Sequence, residues 1–456
     1  MMVKGCAVHM ENGPVGRALF SFAVPVLLSQ LLQELYNVTD CLIVGRFGGD
    51  YALAAAALGG LVLSVMINFF VGFSSGVSVV TARTFGSYDY RALQETMTAV
   101  FRLVLTVGLA ISVLGAAGTE TILRLLKSPA EVMPRATVYF RLCACGLMAQ
   151  LFYNVGTAVL RSLGDTKTPL LLFGLSALCN LALDVLFVIG FRWGIAGAAG
   201  ATLLSQWLLA VLIFRHLRRL DSAYALTLTG PRIPRKELRA ILRMGLPAGM
   251  QALFMSISSL LIQRYINGFG PDAMAGMNLY AKVEGCLYLP TFAYGIALTS
   301  FVGQNLGAGK LDRIREAVKL SIRTMCACVL PLSLLLVWVS PVILKLFTPE
   351  TGILFNAREA ILFNLPFYTV YAVNQIYLGA IKGLGDTAWP MTCTLLCYSL
   401  FRVIWCRALI PVFASMRVVY LSYDVSFFLM LLLLLPRYRA LFRQKRRTLS
   451  TAYNEA

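Results

Sequence analysis

Long apolar stretches, separated by short polar and basic segments, recur along the whole chain. Most of them reach the roughly 20 residues that an α-helix needs to cross a lipid bilayer. The pattern predicts about twelve transmembrane helices. We place them at residues 18–47, 52–80, 92–118, 132–160, 168–191, 195–214, 240–267, 274–302, 316–340, 353–381, 388–411 and 418–436.

The chain contains an internal duplication. Leu163-Gly164-Asp165-Thr166 returns 221 residues later as Leu384-Gly385-Asp386-Thr387, and each copy lies between two apolar stretches. A second pair, Phe47-Gly48-Gly49-Asp50 and Phe269-Gly270-Pro271-Asp272, has an offset of 222, as a single loop insertion would give. Each repeat holds six predicted spans, so both halves should have the same orientation and be related by a pseudo-two-fold axis along the membrane normal.

The predicted fold is therefore an all-α polytopic membrane protein built from two six-helix bundles. We expect an N-terminal lobe at 1–214, a basic cytoplasmic linker at 215–239, a C-terminal lobe at 240–436 and a basic cytoplasmic tail at 437–456. A transport protein of this plan uses a cleft between its halves and alternates access to the two sides of the membrane.

Composition and charge support a membrane protein. Hydrophobic residues make up 58% of the 456 residues and charged residues only 13%, too few to cover a water-soluble globule of this size. The net charge of +19 does not indicate nucleic-acid binding, because Lys and Arg lie mostly between apolar stretches. Loops on the side of the N-terminus carry about two and a half times the Lys and Arg of the opposite loops, which predicts that both termini are cytoplasmic. The first apolar stretch is predicted to be a retained helix, not a cleaved signal peptide.

Few motifs carry catalytic or cofactor chemistry. The eleven cysteines lack the paired spacing and histidine partners of a zinc site, and we interpret them as packing residues. The two histidines, His9 and His216, lie in the N-terminal segment and the basic linker. The chain has no phosphate-binding loop for ATP. We predict no cofactor and no enzymatic activity, and an ion gradient remains as the source of energy.

A polar stripe runs along the first predicted span. Gln30, Gln33, Glu34, Asn37 and Asp40 recur at steps of three and four, which places them on one helix face. Ionisable groups within a span are costly and are usually kept where they line a cavity or a pathway. This face is therefore expected to line water.

Two shorter polar pairs lie in the fifth and sixth predicted spans: Asn180 with Asp184, and Thr202 with Gln206. Counted from the outer ends of their helices, Asp40, Asp184 and Thr202 lie at one depth, roughly 10 Å in. Neighbouring carboxylates with neutral oxygen donors suit either H⁺ or Na⁺. We predict a site for the coupling cation at Asp40, Asn180, Asp184 and Thr202. The alternative is that each acid is satisfied separately by a neighbouring backbone or hydroxyl group.

The second half does not repeat these acids. At the four matching positions it has Ile262, Phe401, Trp405 and Tyr423, so the acidic cluster is expected only in the first half. The second half is instead expected to bury Lys282, Glu284 and Arg402, either as an ion-paired strut or as a substrate contact.

A substrate cleft is assigned to the polar stripe and to this second group, with aromatic residues beside them. Acids and aromatic rings together predict a preference for flat, lipophilic cations. The residues assigned to the cleft are Gln30, Gln33, Glu34, Tyr36, Asn37, Gln206, Lys282, Glu284, Tyr288 and Arg402.

The repeated Leu-Gly-Asp-Thr motif is predicted to be structural. Each copy lies at a cytoplasmic corner between two helices, where Gly164 or Gly385 tolerates a positive φ. The aspartate (Asp165 or Asp386) or the threonine after it can then cap the next helix.

These motifs together resemble a known family. The sequence Asn37-Val38-Thr39-Asp40-Cys41-Leu42-Ile43-Val44-Gly45, the two Leu-Gly-Asp-Thr motifs, the Asn180-x3-Asp184 pair and Gly303-Gln304-Asn305-Leu306-Gly307-Ala308-Gly309 are similar to those of multidrug and toxic compound extrusion (MATE) transporters. The match covers nearly the whole chain and is most similar to the bacterial branch with an acidic cluster in its first half.

The resemblance implies two six-helix bundles and export of lipophilic organic cations in exchange for H⁺ or Na⁺. We also expect a monomer in the bacterial cytoplasmic (inner) membrane. Asp40, Asn180, Asp184 and Thr202 match the family's cation site in the N-terminal lobe. The chain departs from some relatives at Ile262, which leaves the seventh span without an acid and puts in doubt a second cation site of their kind.

Other functions remain open from the sequence. A lipid-linked oligosaccharide flippase of the same superfamily would share the architecture, but it should carry more cationic residues to hold a pyrophosphate. A major-facilitator carrier also has two parallel halves, but its basic loop after the second span is not matched by residues 82–89. A polytopic membrane enzyme would need a nucleophile, metal or acid-base set that the motifs do not provide. A membrane receptor or scaffold is the remaining class.

Overall fold

The protein is entirely helical in the part of the chain that the computed structural model describes, residues 9–49, 51–125, 128–228 and 235–454. The first seven helices are α1 (Val15–Phe47), α2 (Ala52–Gly86), α3 (Tyr90–Ala117), α4 (Thr119–Leu125), α5 (Met133–Ser162), α6 (Lys167–Asp184) and α7 (Gly194–Leu217). The others are α8 (Arg235–Asn267), α9 (Pro271–Gly307), α10 (Leu311–Phe347), α11 (Thr351–Asn364), α12 (Tyr368–Gly383), α13 (Ala388–Cys393), α14 (Phe401–Phe413) and α15 (Met416–Asn454). The predicted all-α polytopic fold is confirmed.

Eleven helical stretches within the described residues are long and apolar enough to cross a membrane. The predicted span at 353–381 is not one of them, because it is divided into α11, a 3-10 turn at Leu365–Phe367, and α12. Pro366 lies in this turn and lacks the N–H that would continue the α-helical hydrogen bonding. The tenth span of the sequence is thus two shorter helices joined at a proline.

The contacts divide the chain into two compact units. Unit 1 holds the described residues within Met1–His9 and Val24–Gly249, and unit 2 holds Met10–Ala23 and those within Met250–Ala456. The division differs from the predicted boundary at 214–240, because the first turns of α1 pack within unit 2 and those of α8 within unit 1. In both helices the change of unit falls next to a proline, Pro25 or Pro247.

The centre of unit 1 is α5, which packs against α2, α3 and α7. Phe140 and Phe152 of α5 are buried in one apolar core with Phe70 and Phe101 of its neighbours. Gly146 leaves room for the side-chain oxygen of Gln206, which a methyl group there would meet. This packing holds α7 between α5 and α6, and thereby fixes the polar residues of α7 beside those of α6.

In unit 2, α9 and α12 approach each other closely. A methyl group at Gly379 would lie 2.7 Å from the backbone oxygen of Gly295, closer than atoms can pack. Small residues at helix contacts allow such an approach in membranes. The contact places Glu284 on α9 and Tyr368 on α12 in neighbouring helices.

The first part of the predicted linker is attached to unit 1. Gln94 and Thr98 of α3 donate hydrogen bonds to the backbone oxygens of Ala225 and Thr227, at 3.0 Å and 2.8 Å. Pro231, Pro234 and Asp50, which the sequence placed in the linker and in the repeat, lie outside the described residues. The predicted tail from residue 437 continues α15 without a break.

Candidate functional sites in the two units

The two predicted acids of the first half come together in unit 1. Asp40 lies in the second half of α1, and Asp184 is the last residue of α6. The two carboxyl groups are close enough to interact electrostatically. Asp184 is only 1% exposed, and Asp40 is partly buried. The two acids lie close together, in agreement with the similar depth at which the sequence placed them.

This acidic pair lacks the partners that a buried carboxylate needs. Within the described part of the chain, neither carboxylate oxygen of Asp184 has a hydrogen-bond partner, and the same holds for Asp40 Oδ1 and Asn180 Nδ2. An unpaired buried charge is strongly unfavourable, so such groups either hold a proton or bind a cation. The separate satisfaction of each acid by a neighbouring group, which the sequence left open, does not occur at these atoms.

Hydroxyl groups complete the acidic cluster. The Tyr36 hydroxyl interacts with the side chains of Thr202 and Ser205 on α7 and with both carboxyl groups. Tyr139 of α5 also interacts with Asp40. The sequence assigned Tyr36 to the substrate cleft and did not identify Ser205 or Tyr139. The spacing of Ser205, three residues from Thr202, was the available signal.

The rest of the α1 stripe is more open. Glu34 and Asn37 are exposed, and Gln30 and Gln33 are partly exposed. Gln206 packs against Gly146 of α5. Glu34 and Asn37 are therefore the exposed members of the stripe, while Asp40 is the member that interacts with Asp184.

Arg402 is the centre of a second polar cluster, in unit 2. Its guanidinium lies 4.1 Å from the ring centre of Tyr423 and 4.7 Å from that of Tyr398. Its Nε donates a 2.9 Å hydrogen bond to Ser426 Oγ. Arg402 also interacts electrostatically with Glu284. Tyr288, predicted for the cleft, stacks on Phe292 of its own helix and on Tyr371.

Two expectations for this half are wrong. Lys282 is exposed, because two residues along a helix turn it well away from the face of Glu284. Arg402 also makes no ion pair within 4.0 Å of an acid in the described part of the chain, so the predicted ion-paired strut is replaced by a guanidinium stacked on aromatic rings.

The sequence reading also missed Asp424. It is 4% exposed, lies in α15, and interacts with Arg402. At the offset of 221 that relates the repeats in this part of the chain, Thr202 matches Tyr423, and Asp424 is the next residue. Comparing the repeats position by position therefore did not identify Asp424. The second half carries this buried acid in addition to the charged residues that were expected there.

Irregular helix accompanies both clusters. A π-helical segment, Val185–Gly190, begins directly after Asp184, and another, Thr394–Leu400, ends two residues before Arg402. Such segments are rare and occur frequently at functional sites. Neither was visible in the hydrophobic pattern.

The two cytoplasmic corners have the predicted geometry. Gly164 and Gly385 have φ of 85° and 93°, in the left-handed region. Asp165 Oδ1 accepts a 3.0 Å hydrogen bond from the Thr168 backbone N–H, and Asp386 Oδ1 accepts one of the same length from Trp389. The predicted capping role of both aspartates is confirmed.

The second carboxylate oxygen of each aspartate faces a basic residue at the same repeat position. Asp386 Oδ2 accepts hydrogen bonds from Arg437 Nη2 at 2.6 Å and Nε at 2.9 Å. Asp165 Oδ2 lies 3.7 Å from Nε2 of His216, which is in the last turn of α7 and not in a linker loop. Burial acts to raise the pKa of Asp165, but the interaction with His216 and the hydrogen bonds from Thr168 outweigh it and hold the pKa below its usual range.

Comparison with known proteins places the chain in a family. The MatE family profile matches residues 25–186 and 247–406, one segment in each repeat. The chain is 28% identical over 402 residues to "Probable multidrug resistance protein YpnP" of Bacillus subtilis, covering 87% of this chain and 88% of that protein. It is 24% identical over 413 residues to "Probable multidrug resistance protein NorM" of Thermotoga maritima, covering 89% and 87%.

Its fold is also similar to a solved structure. "Crystal structure of MATE in the bent conformation" superposes with a TM-score of 0.90 at 23% identity, over 99% of this chain and 100% of that one. The family profile covers more than half of the chain and both halves of the duplication. The chain therefore belongs to the MatE family.

Proposed function

We propose that this protein is a secondary active multidrug exporter, which moves lipophilic organic cations out of the cell by alternating access in exchange for H⁺ or Na⁺. The observation that carries the proposal is the close pair Asp40 and Asp184: within the described residues, neither carboxylate oxygen of the buried Asp184 has a hydrogen-bond partner, and nor does Oδ1 of Asp40. The names of the related proteins, which refer to multidrug resistance, support the substrate class.

The coupling cation binds at Asp40, Asn180, Asp184 and Thr202. Both acids are membrane-buried, so neutralising them with a proton or a Na⁺ ion changes the electrostatic energy of unit 1 by a large amount. Two carboxylates and several neutral oxygens can accept either ion. The described residues contain no group of three His, Cys, Asp or Glu side chains suited to a transition metal.

Ion binding is coupled to drug release through unit 1. Tyr36 connects the acids on α1 and α6 to the hydroxyl groups of α7. A bound cation neutralises the two acids and so weakens the electrostatic interactions among α1, α6 and α7. These helices can then repack. Drug is captured in the state open to the cytoplasm and released in the state open outward, as the cation enters.

The protein lies in the bacterial cytoplasmic membrane as a monomer, with both termini in the cytoplasm. This orientation follows from the excess of Lys and Arg in the loops on the side of the N-terminus. The exposed acid Glu34 and the neighbouring amides of α1 favour a cationic substrate.

The experiment is efflux of a cationic dye from proteoliposomes under an imposed pH gradient and, separately, under an imposed Na⁺ gradient. One of the gradients should drive export against the dye gradient, and its collapse by an ionophore should stop it. Export under neither gradient would overturn the proposal. Asp221→Asn, which changes an exposed acid in a cytoplasmic loop, is the matched control and should behave as the wild type.

A further inference from the structure

We propose that Glu284, Asp424 and Arg402 form a second ion-binding site, in unit 2, which takes up one proton. This site is independent of the coupling site proposed for unit 1. It uses the eighth, eleventh and twelfth spans, and so does not need the acid that the seventh span lacks at Ile262.

The three charged groups share one environment. Arg402 interacts electrostatically with Glu284 and with Asp424. Tyr280 of α9 also interacts with both acids. All three charged residues lie within helical stretches long enough to cross the membrane, where each net charge is costly.

The cluster is short of hydrogen-bond partners. Among the described residues, neither carboxylate oxygen of Asp424 has a hydrogen-bond partner. Asn364, which is 1% exposed, lies near Tyr280, but neither polar atom of its side chain has a partner at hydrogen-bonding geometry. The Tyr368 hydroxyl is directed toward Glu284 but has no partner at hydrogen-bonding geometry. The unpartnered carboxylate oxygens of Asp424 can each accept a proton or a hydrogen bond.

Charge determines how much the site can bind. Two carboxylates and one guanidinium leave one net negative charge, so one bound cation makes the cluster neutral. Arg402 is held in place by Ser426 and by the rings of Tyr398 and Tyr423. Its positive charge repels any metal cation that enters the site. A proton shared between Glu284 and Asp424 avoids that repulsion, because it is attached directly to a carboxyl group.

The groups facing the cluster come from every helix around it. Besides the two acids and Arg402, the titratable side chains that interact with one or more of them are Tyr280, Tyr368, Tyr371, Cys397, Tyr398, Cys406 and Tyr423. Tyrosine and cysteine are neutral in the protonated form, so they do not supply the missing positive charge.

The test counts protonated carboxyl groups by the infrared C=O stretching band of carboxylic acids, in purified full-length protein. The parent is the Asp40→Asn/Asp184→Asn double variant, which removes the acids of unit 1, so the result does not depend on the proposed transport function. Thermal unfolding in the same detergent checks that each further variant is folded.

Each added substitution has a different expected result. Near neutral pH the parent should show a band that is lost in both Asp424→Asn and Glu284→Gln, because either change leaves one carboxylate whose charge is balanced by that of Arg402. Arg402→Gln should double the band. Asp312→Asn, an exposed acid of α10, should leave it unchanged.

Two results would overturn the proposal. One is a band that falls by half in each single-acid variant, which would mean that the acids take up protons independently. The other is a band that disappears on addition of Na⁺, which would make the site a sodium site. If a single-acid variant does not fold, the Arg402→Gln count and the Na⁺ addition still decide the matter.

Discussion

The buried acids of unit 1 and unit 2 differ in whether a basic side chain accompanies them. Asp40 and Asp184 interact with each other and with hydroxyl groups, and no basic side chain is among their interaction partners in the described part of the chain. Glu284 and Asp424 both interact with Arg402. Two repeats of one architecture thus carry different net charges within the membrane.

The cytoplasmic corners show the opposite relation. Here the repeats keep the same glycine, the same capping aspartate and a basic partner at the same repeat position. Only the strength of the ion pair differs, since Arg437 is always charged whereas His216 is charged only when protonated. The duplication thus preserved the structural corners and diversified the buried charges, as expected if the buried charges carry the specific function.

The largest expected effect comes from the uncompensated acids. Asp40→Asn and Asp184→Asn should each abolish coupled export while leaving a folded protein, because the amide keeps the shape but cannot exchange a proton or supply negative charge. Efflux from proteoliposomes under the effective gradient measures this. Glu34→Gln should lose less, since Glu34 is exposed and outside the acidic cluster. Wild-type export by either asparagine variant would remove the cluster from the coupling mechanism.

The dependence of export on substrate charge tests the role of the exposed acid Glu34 on α1. A permanently charged dye should be exported faster than a neutral isostere of equal hydrophobicity, because attraction to Glu34 and cation–π contacts are each worth about 0.5 to 2 kcal/mol. The measurement is the ratio of the two export rates in the same vesicles, and Glu34→Gln should reduce that ratio. Equal or faster transport of the neutral compound would instead favour the lipid-flippase alternative.

Substitutions at the two cytoplasmic corners should have smaller effects, and these should fall on the stability of the protein. Asp386→Ala removes a cap and a two-point contact with Arg437, and should lower the free energy of unfolding by about 1 to 3 kcal/mol, discounted because Arg437 is 40% exposed. Asp165→Ala removes a cap and a longer contact, and should cost about 0.5 to 2 kcal/mol. Thermal unfolding in detergent compares the two. Neither change should alter which ion drives export; a stable Asp165→Ala variant that ignores the gradient would place this corner in the coupling path.

The smallest expected effect is the pH dependence of the stability that the charge of Asp165 contributes. Because the pKa of Asp165 is held below its usual range in the folded protein, the stabilisation from its charge is present above the pKa of the unfolded chain, about 4. It is lost as the pH falls below that value. Asp165→Asn keeps a capping oxygen but not the charge, so the stability difference from the wild type should shrink on acidification. A difference that stays constant down to about pH 3 would show that the charge of Asp165 contributes nothing.

The sequence predicted the fold well because hydrophobic length and internal repetition are strong signals. The acids of unit 1 were also predictable, since helical spacing and depth placed Asp40 and Asp184 together. The interruption at Pro366 was readable but overlooked within a long apolar stretch. The π-helical segments, the exposure of Lys282 and the burial of Asp424 could not be predicted, because they depend on local backbone hydrogen bonding and on the rotation of each helix about its axis.

Asp40 and Asp184, the acids of unit 1 without a basic partner, are proposed to bind the cation whose movement drives drug export. The most direct measurement follows drug export and ion movement in the same proteoliposomes, for the wild type and for Asp184→Asn. Drug and one ion, H⁺ or Na⁺, should move in opposite directions at a fixed ratio, and Asp184→Asn should lose both movements. Drug export by Asp184→Asn with an unchanged ion-to-drug ratio would contradict this proposal.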